Sequence, residues 1–149
     1  MKQTKEIVNR KAKYEYNLMQ GFEAGMVLLG TEVKSLRRGE GNLSDAYCQF
    51  KDGELFIRNM FIAEYSHGNV NNHETRRERK LLLTKPELRK LERRTTEKGL
   101  TIVPYKIFFS ERGHAKIEIF LAQGKKSYDK RESIKQKDIQ RDLDRSQKY

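Results

Sequence analysis

The stretch DAYCQFKDGELFIRNMFIAE, residues 45–64, decides the fold class. Two runs rich in β-formers flank Asp52-Gly53, and an Asp-Gly pair between such runs favours a type I′ hairpin turn. In the first run Ala46, Cys48 and Phe50 alternate with other residues, so they share one face of a strand. Cys48 reads as a small buried hydrophobe, because a free cysteine prefers burial.

Upstream of the hairpin, AKYEYNL (12–18) alternates Tyr14, Tyr16 and Leu18 against charged or polar neighbours and predicts a strand. FEAGMVLLG (22–30) predicts a second. GTEVKSLRRG (30–39) predicts a short helix. Thr31 can cap its N-terminus, Glu32 suits the positive end of the dipole, Val33 and Leu36 share a face, and Gly39 supplies a left-handed stop. Downstream, SHGNVNNHETRRERK (66–80) lacks periodicity and reads as a loop that becomes strongly basic. TKPELRKLERRTTEKG (84–99) predicts a helix with a Thr84–Glu87 capping box, Pro86 in its first turn and Gly99 at its end. Only Leu88 and Leu91 mark its apolar stripe, so it lies on a surface. LTIVPYKIFF (100–109) and HAKIEIFLAQ (114–123) predict two strands joined by a turn at SERG, and Pro104 places the first of them at an edge or bulge. About six strands, not regularly interleaved with helices, favour an OB-like antiparallel sheet curled into a barrel over a doubly wound sheet. The expected organisation is a barrel domain over residues 1–124, opening with a loose basic arm, and a tail over 125–149.

The 149 residues fit one domain plus an appendage. The formal net charge of +11 divides into +7 for residues 1–124 (23 basic minus 16 acidic) and +4 for the tail (9 minus 5). So basic a chain calls for a polyanionic partner, nucleic acid above all. An anionic membrane is the rival, but the longest apolar runs, such as MVLL, fall far short of the ~20 residues of a spanning helix. No signal-peptide segment opens the chain, and the single cysteine rules out an internal disulfide. A reduced, soluble, cytoplasmic protein is expected.

No catalytic constellation is legible, so no enzyme and no cofactor are expected. His67, His73 and His114 fit no metal-ligand spacing. His67 and His73 share a loop with Glu74, where an exposed loop histidine is the ordinary state. Three basic clusters say more: Lys34, Arg37 and Arg38; Arg76, Arg77, Arg79 and Lys80; and Arg89, Lys90, Arg93 and Arg94. Each alone is a solvated face more often than a site. Three of them with a basic tail point to phosphate, where every cation releases counterions. Tyr14, Tyr16, Phe22, Phe50 and Phe56 offer rings for base stacking, although strand aromatics mostly build core. Placed on a helix, the tail gathers Lys130, Lys137, Arg141, Arg145 and Lys148 into one stripe, with Tyr128, Ile139 and Leu143 on another face and Ile134 among the basic residues. With so little apolar surface such a helix is marginal in water. The expectation is a tail disordered when free and helical against a polyanion.

NRKAKYEY, FEAGMVLLGTEVKSLRRGEGNLSDAY, RRERKLLL and GKKSYDKRE resemble, in this order, segments of the SsrA-binding protein family, also called small protein B. The resemblance runs from Asn9 into the tail; Thr75 stands where the family often has Pro. It implies an OB-like barrel that binds the tRNA-like domain of transfer-messenger RNA without catalysing covalent chemistry. Protein and RNA enter ribosomes stalled on truncated messages, the incomplete peptide gains a degradation tag and the ribosome is released. It also implies a monomer, and indirect partnership with elongation factor Tu and alanyl-tRNA synthetase through the charged RNA. Carried onto this chain, the family's residues for the tRNA-like domain are Asn9, Arg10, Glu23, Lys34, Lys80, Leu82 and Lys116. Glu23 either accepts from a base amino group or holds a neighbouring cation. Those for small-subunit rRNA at the decoding centre and message channel are Lys125, Lys126, Tyr128, Asp129, Lys130 and Arg131, and the stripe adds Lys137, Arg141 and Arg145. Tyr128 can stack on a base. A structural ribosomal protein that binds rRNA stably is the competing expectation.

Overall fold

The structure, a computed structural model, describes residues 6–66 and 72–125. His67, the first five residues of the arm, and the tail beyond Lys125 with its expected helical stripe lie outside the described residues. In chain order the elements are β1 (Ile7–Val8), α1 (Lys11–Glu15), β2 (Tyr16–Met26), α2 (Gly30–Arg37), β3 (Gly41–Asn42), β4 (Tyr47–Lys51), β5 (Glu54–Arg58), β6 (Phe61–Ile62), β7 (Arg79–Leu82), α3 (Lys85–Lys98), β8 (Thr101–Phe109) and β9 (Ala115–Gly124).

The β4–β5 hairpin turns where its sequence says it should. Lys51 pairs with Glu54 across the turn, and Asp52 (φ 53°) and Gly53 (φ 76°) both adopt the positive φ of a type I′ turn. Every strand pairing is antiparallel, and seven strands form one sheet in the order β1-β8-β9-β2-β7-β5-β4, with β3 and β6 as a separate pair. The mainly-β class with helices holds. The sheet is not closed: β4 curls back beside β8 without a ladder between them. Nine strands stand among the described residues rather than about six, because β1, β3 and β6 are two-residue pairings that leave no periodic trace.

Side chains alternate along a strand, and the inward set makes the core. Leu55, Ile57, Leu81, Ile107, Ile117 and Ile119 meet Leu36 of α2 and Leu91 of α3, all of them essentially without exposure. Each such side chain contributes about 1.5–3 kcal/mol by leaving water. α3 carries its expected signals: the Thr84 hydroxyl accepts from the Glu87 N–H, Glu87 returns the contact to the Thr84 N–H, and Gly99 ends the helix at φ 63°. Pro104 sits at a bulge in the β8–β9 ladder, where a missing donor costs least.

Three local readings need correction. The strand expected over 12–18 is α1 as far as Glu15. Asn9 explains this: its N–H donates to the Tyr105 carbonyl, its side-chain amide donates to the Pro104 carbonyl, and its own carbonyl accepts from Ala12, which starts a turn that buries Ala12 beside Val103 and Ala122. The rest joins the next run in the single strand β2, which crosses a bulge between Leu18 and Gln20. The cap of α2 is Leu29, not Thr31. Leucine has no side-chain acceptor, so only half a capping box exists, with Glu32 Oε1 accepting from the Leu29 N–H at 2.8 Å. Finally, the basic loop ends in a strand, because Arg79 and Lys80 belong to β7 and pair with β5.

Candidate nucleic-acid interface

Strand alternation sends Phe22 and Ala24 of β2 inward and Gly21, Glu23 and Gly25 outward. On β7, Arg79 and Leu81 face in while Lys80 and Leu82 face out. On β9, Ile117 and Ile119 face in and Lys116, Glu118 and Phe120 face out. Register then aligns residues far apart in sequence. One row runs Leu82–Gly25–Lys116–Phe108, and the next runs Glu23–Glu118–Lys106. Glu23, Lys80, Leu82 and Lys116, expected to serve one RNA, share this outer face.

The face has depth as well as charge. Gly25 leaves open the place of a side chain between Leu82 and Lys116, where a Cβ would come 3.4 Å from Leu82. An open groove of about 530 Å³ lies there, lined by Gly25, Met26, Val33, Leu82, His114 and Lys116. Leu82 is 51% exposed, unusual for leucine. Lys80 Nζ meets Glu54 at 2.9 Å, with both side chains partly exposed. Such a pair is worth at most about 1 kcal/mol, so Lys80 can exchange Glu54 for a phosphate at little cost. Among the described residues neither Glu23 nor Lys116 makes an ion pair or side-chain hydrogen bond, so both are available. Glu23 therefore pairs with no cation among the described residues.

A buried charge cluster fixes the strand behind this face. Glu32 of α2 and Arg79 of β7 have no solvent exposure and are bonded through Arg79 Nε, while Arg77 Nη2 reaches Glu32 at 2.7 Å. Arg79 also donates to the carbonyls of Met60 (2.6 Å) and Thr75 (3.2 Å). Burial alone would raise the Glu32 carboxyl, but hydrogen bonds from Arg77, the Leu29 N–H and Arg79 outweigh it and hold the group below the ordinary carboxylate value. His73, expected to be exposed, is buried. Its Nε2 donates to the Ile62 carbonyl at 2.9 Å, and its Nδ1 shares a hydrogen bond with the Thr31 hydroxyl at 2.8 Å. Sequence reasoning missed this cluster and counted Arg79 in one of the three basic clusters that together point to phosphate. The available signal was the alternation Arg79-x-Leu81, which puts the guanidinium on the core face.

The remaining expected residues lie elsewhere. Asn9 is buried, and its side-chain amide is spent on Pro104, while Arg10 beside it is exposed. Lys125 donates its N–H to the Glu15 carbonyl, so it too sits at the α1 end of β2. From Tyr16 to Gly25 is nine residues of strand, about 30 Å, which separates this end from the Leu82–Lys116 row. Lys34 is exposed on α2 with its Nζ over the Tyr65 ring at 5.4 Å. Arg37 stacks on Phe109 and donates to the Gly113 carbonyl, and Arg38 bonds Ser66. Phe22 is core, as strand aromatics usually are, and Tyr14, Tyr16, Phe50 and Phe56 are half-buried. The Phe120 ring covers Gly21 on the outer face. Cys48 packs against the core, and burial pushes its thiol up to about 12, so it is no nucleophile. Lys126, Tyr128, Asp129, Lys130, Arg131, Lys137, Arg141 and Arg145 lie outside the described residues. No helix of the described residues is long and apolar enough to cross a membrane.

Known proteins match over nearly the whole chain. The SsrA-binding protein of Phocaeicola vulgatus is 54% identical over 139 residues, covering 93% of each chain. That of Flavobacterium psychrophilum is 49% identical over 148 residues, covering 99% of each. A solved chain from "tmRNA-SmpB: a journey to the center of the bacterial ribosome" superposes with a TM-score of 0.69 at 48% identity, over 82% of this chain and 85% of that one. The profile of the SmpB protein family spans residues 6–149; with half its residues shared with full-length relatives, this chain belongs to the SmpB family.

Proposed function

We propose that the chain binds transfer-messenger RNA and takes part with it in trans-translation, the rescue of ribosomes stalled on truncated messages. The observation that carries this reading is the convergence of Glu23, Lys80, Leu82 and Lys116 on one outer face from three strands, beside a groove that a glycine keeps open. Lys80 and Lys116 meet phosphates of the tRNA-like domain, Glu23 accepts from a base amino group, and Leu82 packs on the RNA. Arg10 adds a contact at the far end of β2. Asn9 acts from beneath, by anchoring the arm to β8. Lys34 borders the face from α2.

The tail leaves the domain at Lys125, pinned beside α1. Lys125, Lys126, Tyr128, Asp129, Lys130 and Arg131 contact rRNA at the decoding centre, and Lys137, Arg141 and Arg145 follow it along the vacant message channel as a helix. The chain acts as a cytoplasmic monomer and performs no covalent step. Elongation factor Tu and alanyl-tRNA synthetase reach it only through the charged RNA.

Titration of the full chain with transfer-messenger RNA at several salt concentrations tests the face. Lys80→Ala should lower the slope of log affinity against log salt by about one, while Glu23→Ala should weaken binding and leave the slope intact. A wild-type slope for Lys80→Ala would remove Lys80 from the phosphate contacts.

A further inference from the structure

Strand register sets three rows across the outer face of the sheet. Gly21, Phe120 and Val103 make one, Glu23, Glu118 and Lys106 the next, and Gly25, Lys116 and Phe108 the third. Neighbouring rows are two residues apart, about 7 Å. The third row holds the groove and the second holds two carboxylates side by side. The first carries no charge and one large ring.

That ring is held in place from two sides. Phe120 leans over β2, where a Cβ on Gly21 would come 3.0 and 3.2 Å from two of its ring carbons, so the glycine clears the space the ring fills. Tyr105 of β8 supports it edge-to-face, with centroids 5.5 Å apart and planes at 89°. Phe120 is only half-buried and belongs to neither cluster of buried residues. Each other ring of β8 and β9 lies under a cation: Tyr105 under Lys13 at 5.3 Å, Phe108 under Lys106 at 5.6 Å and Phe109 under Arg37 at 5.1 Å. Among the described residues no cation covers Phe120. The two carboxylates one row away are equally open. Lys106, next in their row, turns its Nζ to Glu6 at 3.8 Å, and no other cation among the described residues reaches Glu23 or Glu118.

Proteins read an unstacked RNA base by stacking a ring on its face and hydrogen-bonding its edge. A fixed ring beside two free acceptors supplies both halves of that arrangement. We propose that Phe120 is the stacking platform for one unpaired base of transfer-messenger RNA, whose exocyclic amino group donates to Glu23 or Glu118 in the adjacent row. The assignment rests on the RNA-binding function proposed above and adds to it a contact that reads a base rather than a phosphate. Adenine, guanine and cytosine carry such an amino group. Uracil does not, and would leave the carboxylates unmatched.

The chain contains no tryptophan, so Phe120→Trp in the full chain puts a single fluorescent ring on the platform. Titrated with transfer-messenger RNA, its emission should be quenched in step with binding. Phe120→Leu keeps apolar bulk but offers no aromatic face. It should bind about ten-fold weaker, with the wild-type salt slope, because no phosphate contact is lost. Among RNAs made abasic at one unpaired nucleotide of the tRNA-like domain at a time, one should leave the tryptophan unquenched and bind wild type and Phe120→Leu equally. Unquenched emission from bound intact RNA overturns the platform, and so does wild-type affinity of Phe120→Leu. A difference between the two proteins that survives every abasic site overturns it too. All three results leave binding by the wild-type chain standing, whereas failure of the wild-type chain to bind would remove the function and the platform together.

Discussion

At Glu32 a carboxylate with no access to water holds two guanidinium groups, and one of them, Arg79, is itself wholly buried. Removing one partner of a buried pair leaves the other uncompensated, at a cost of about 3–5 kcal/mol. Glu32→Gln should therefore lower the urea midpoint sharply with little change in m. The double variant Glu32→Leu, Arg79→Met should lose less than the sum of its single changes. The pH dependence has a definite sign. Because the folded-state value lies below the ordinary 4.5, the stabilisation is complete above about pH 4.5 and drains as pH falls through the lower folded value. Wild type should lose stability in that acid range more steeply than Glu32→Gln, as urea melts across pH would record. From sequence Glu32 reads as a dipole partner at a helix start. Its second role needs a residue 47 positions away, which no local pattern reveals.

The elements legible in sequence are those whose signals are local. Asp52-Gly53 specifies the β4–β5 turn, Thr84 with Glu87 specifies the start of α3, and Pro104 marks a bulge. The elements that escaped are set by distant partners: α1 by the grip of Asn9 on β8, β7 by pairing with β5, and β1 by pairing with β8. The candidate face follows the same rule. Lys80 and Leu82 lie in a recognisable segment, but only the ladder brings them beside Gly25 and Lys116. A local signal makes a local prediction. A Cβ at Gly53 would meet nothing within 4 Å, yet its φ of 76° lies in the left-handed region. Gly53→Ala should cost about 1–2 kcal/mol of stability, purely in backbone strain, and leave affinity for transfer-messenger RNA unchanged. A loss of affinity larger than the loss of stability would tie the hairpin to the RNA site.

For the whole molecule, β2 is the axis. The Leu82–Lys116 row lies toward one end, and Lys125, where the tail departs, lies at the other beside Arg10, about 30 Å away. Truncation after Gly124 should keep affinity for transfer-messenger RNA within several-fold and abolish tagging on stalled ribosomes. On the tail helix proposed above, Ile139→Pro should also abolish tagging, because proline removes a helical donor and clashes with the preceding turn. A variant with Lys130, Lys137, Arg141, Arg145 and Lys148 scrambled off their stripe but equal in number separates pattern from net charge. Wild-type tagging by that variant would leave charge alone as the requirement.

Glu23 and Glu118 stand directly opposite one another on β2 and β9, with their Cβ atoms about 4.5–5.5 Å apart. On a chain of net charge +11 they form a small negative island within a positive field. The field draws in every polyanion in a cell, and abundant wrong RNAs reach the surface as readily as the right one. On the function proposed above, the island is what would turn them away. A phosphate pressed onto it is repelled, whereas an exocyclic amine or a 2′-hydroxyl finds two acceptors waiting. On the function proposed above, the surface would measure not how negative a ligand is but whether it places a proton donor at one spot while its phosphates rest on Lys80 and Lys116.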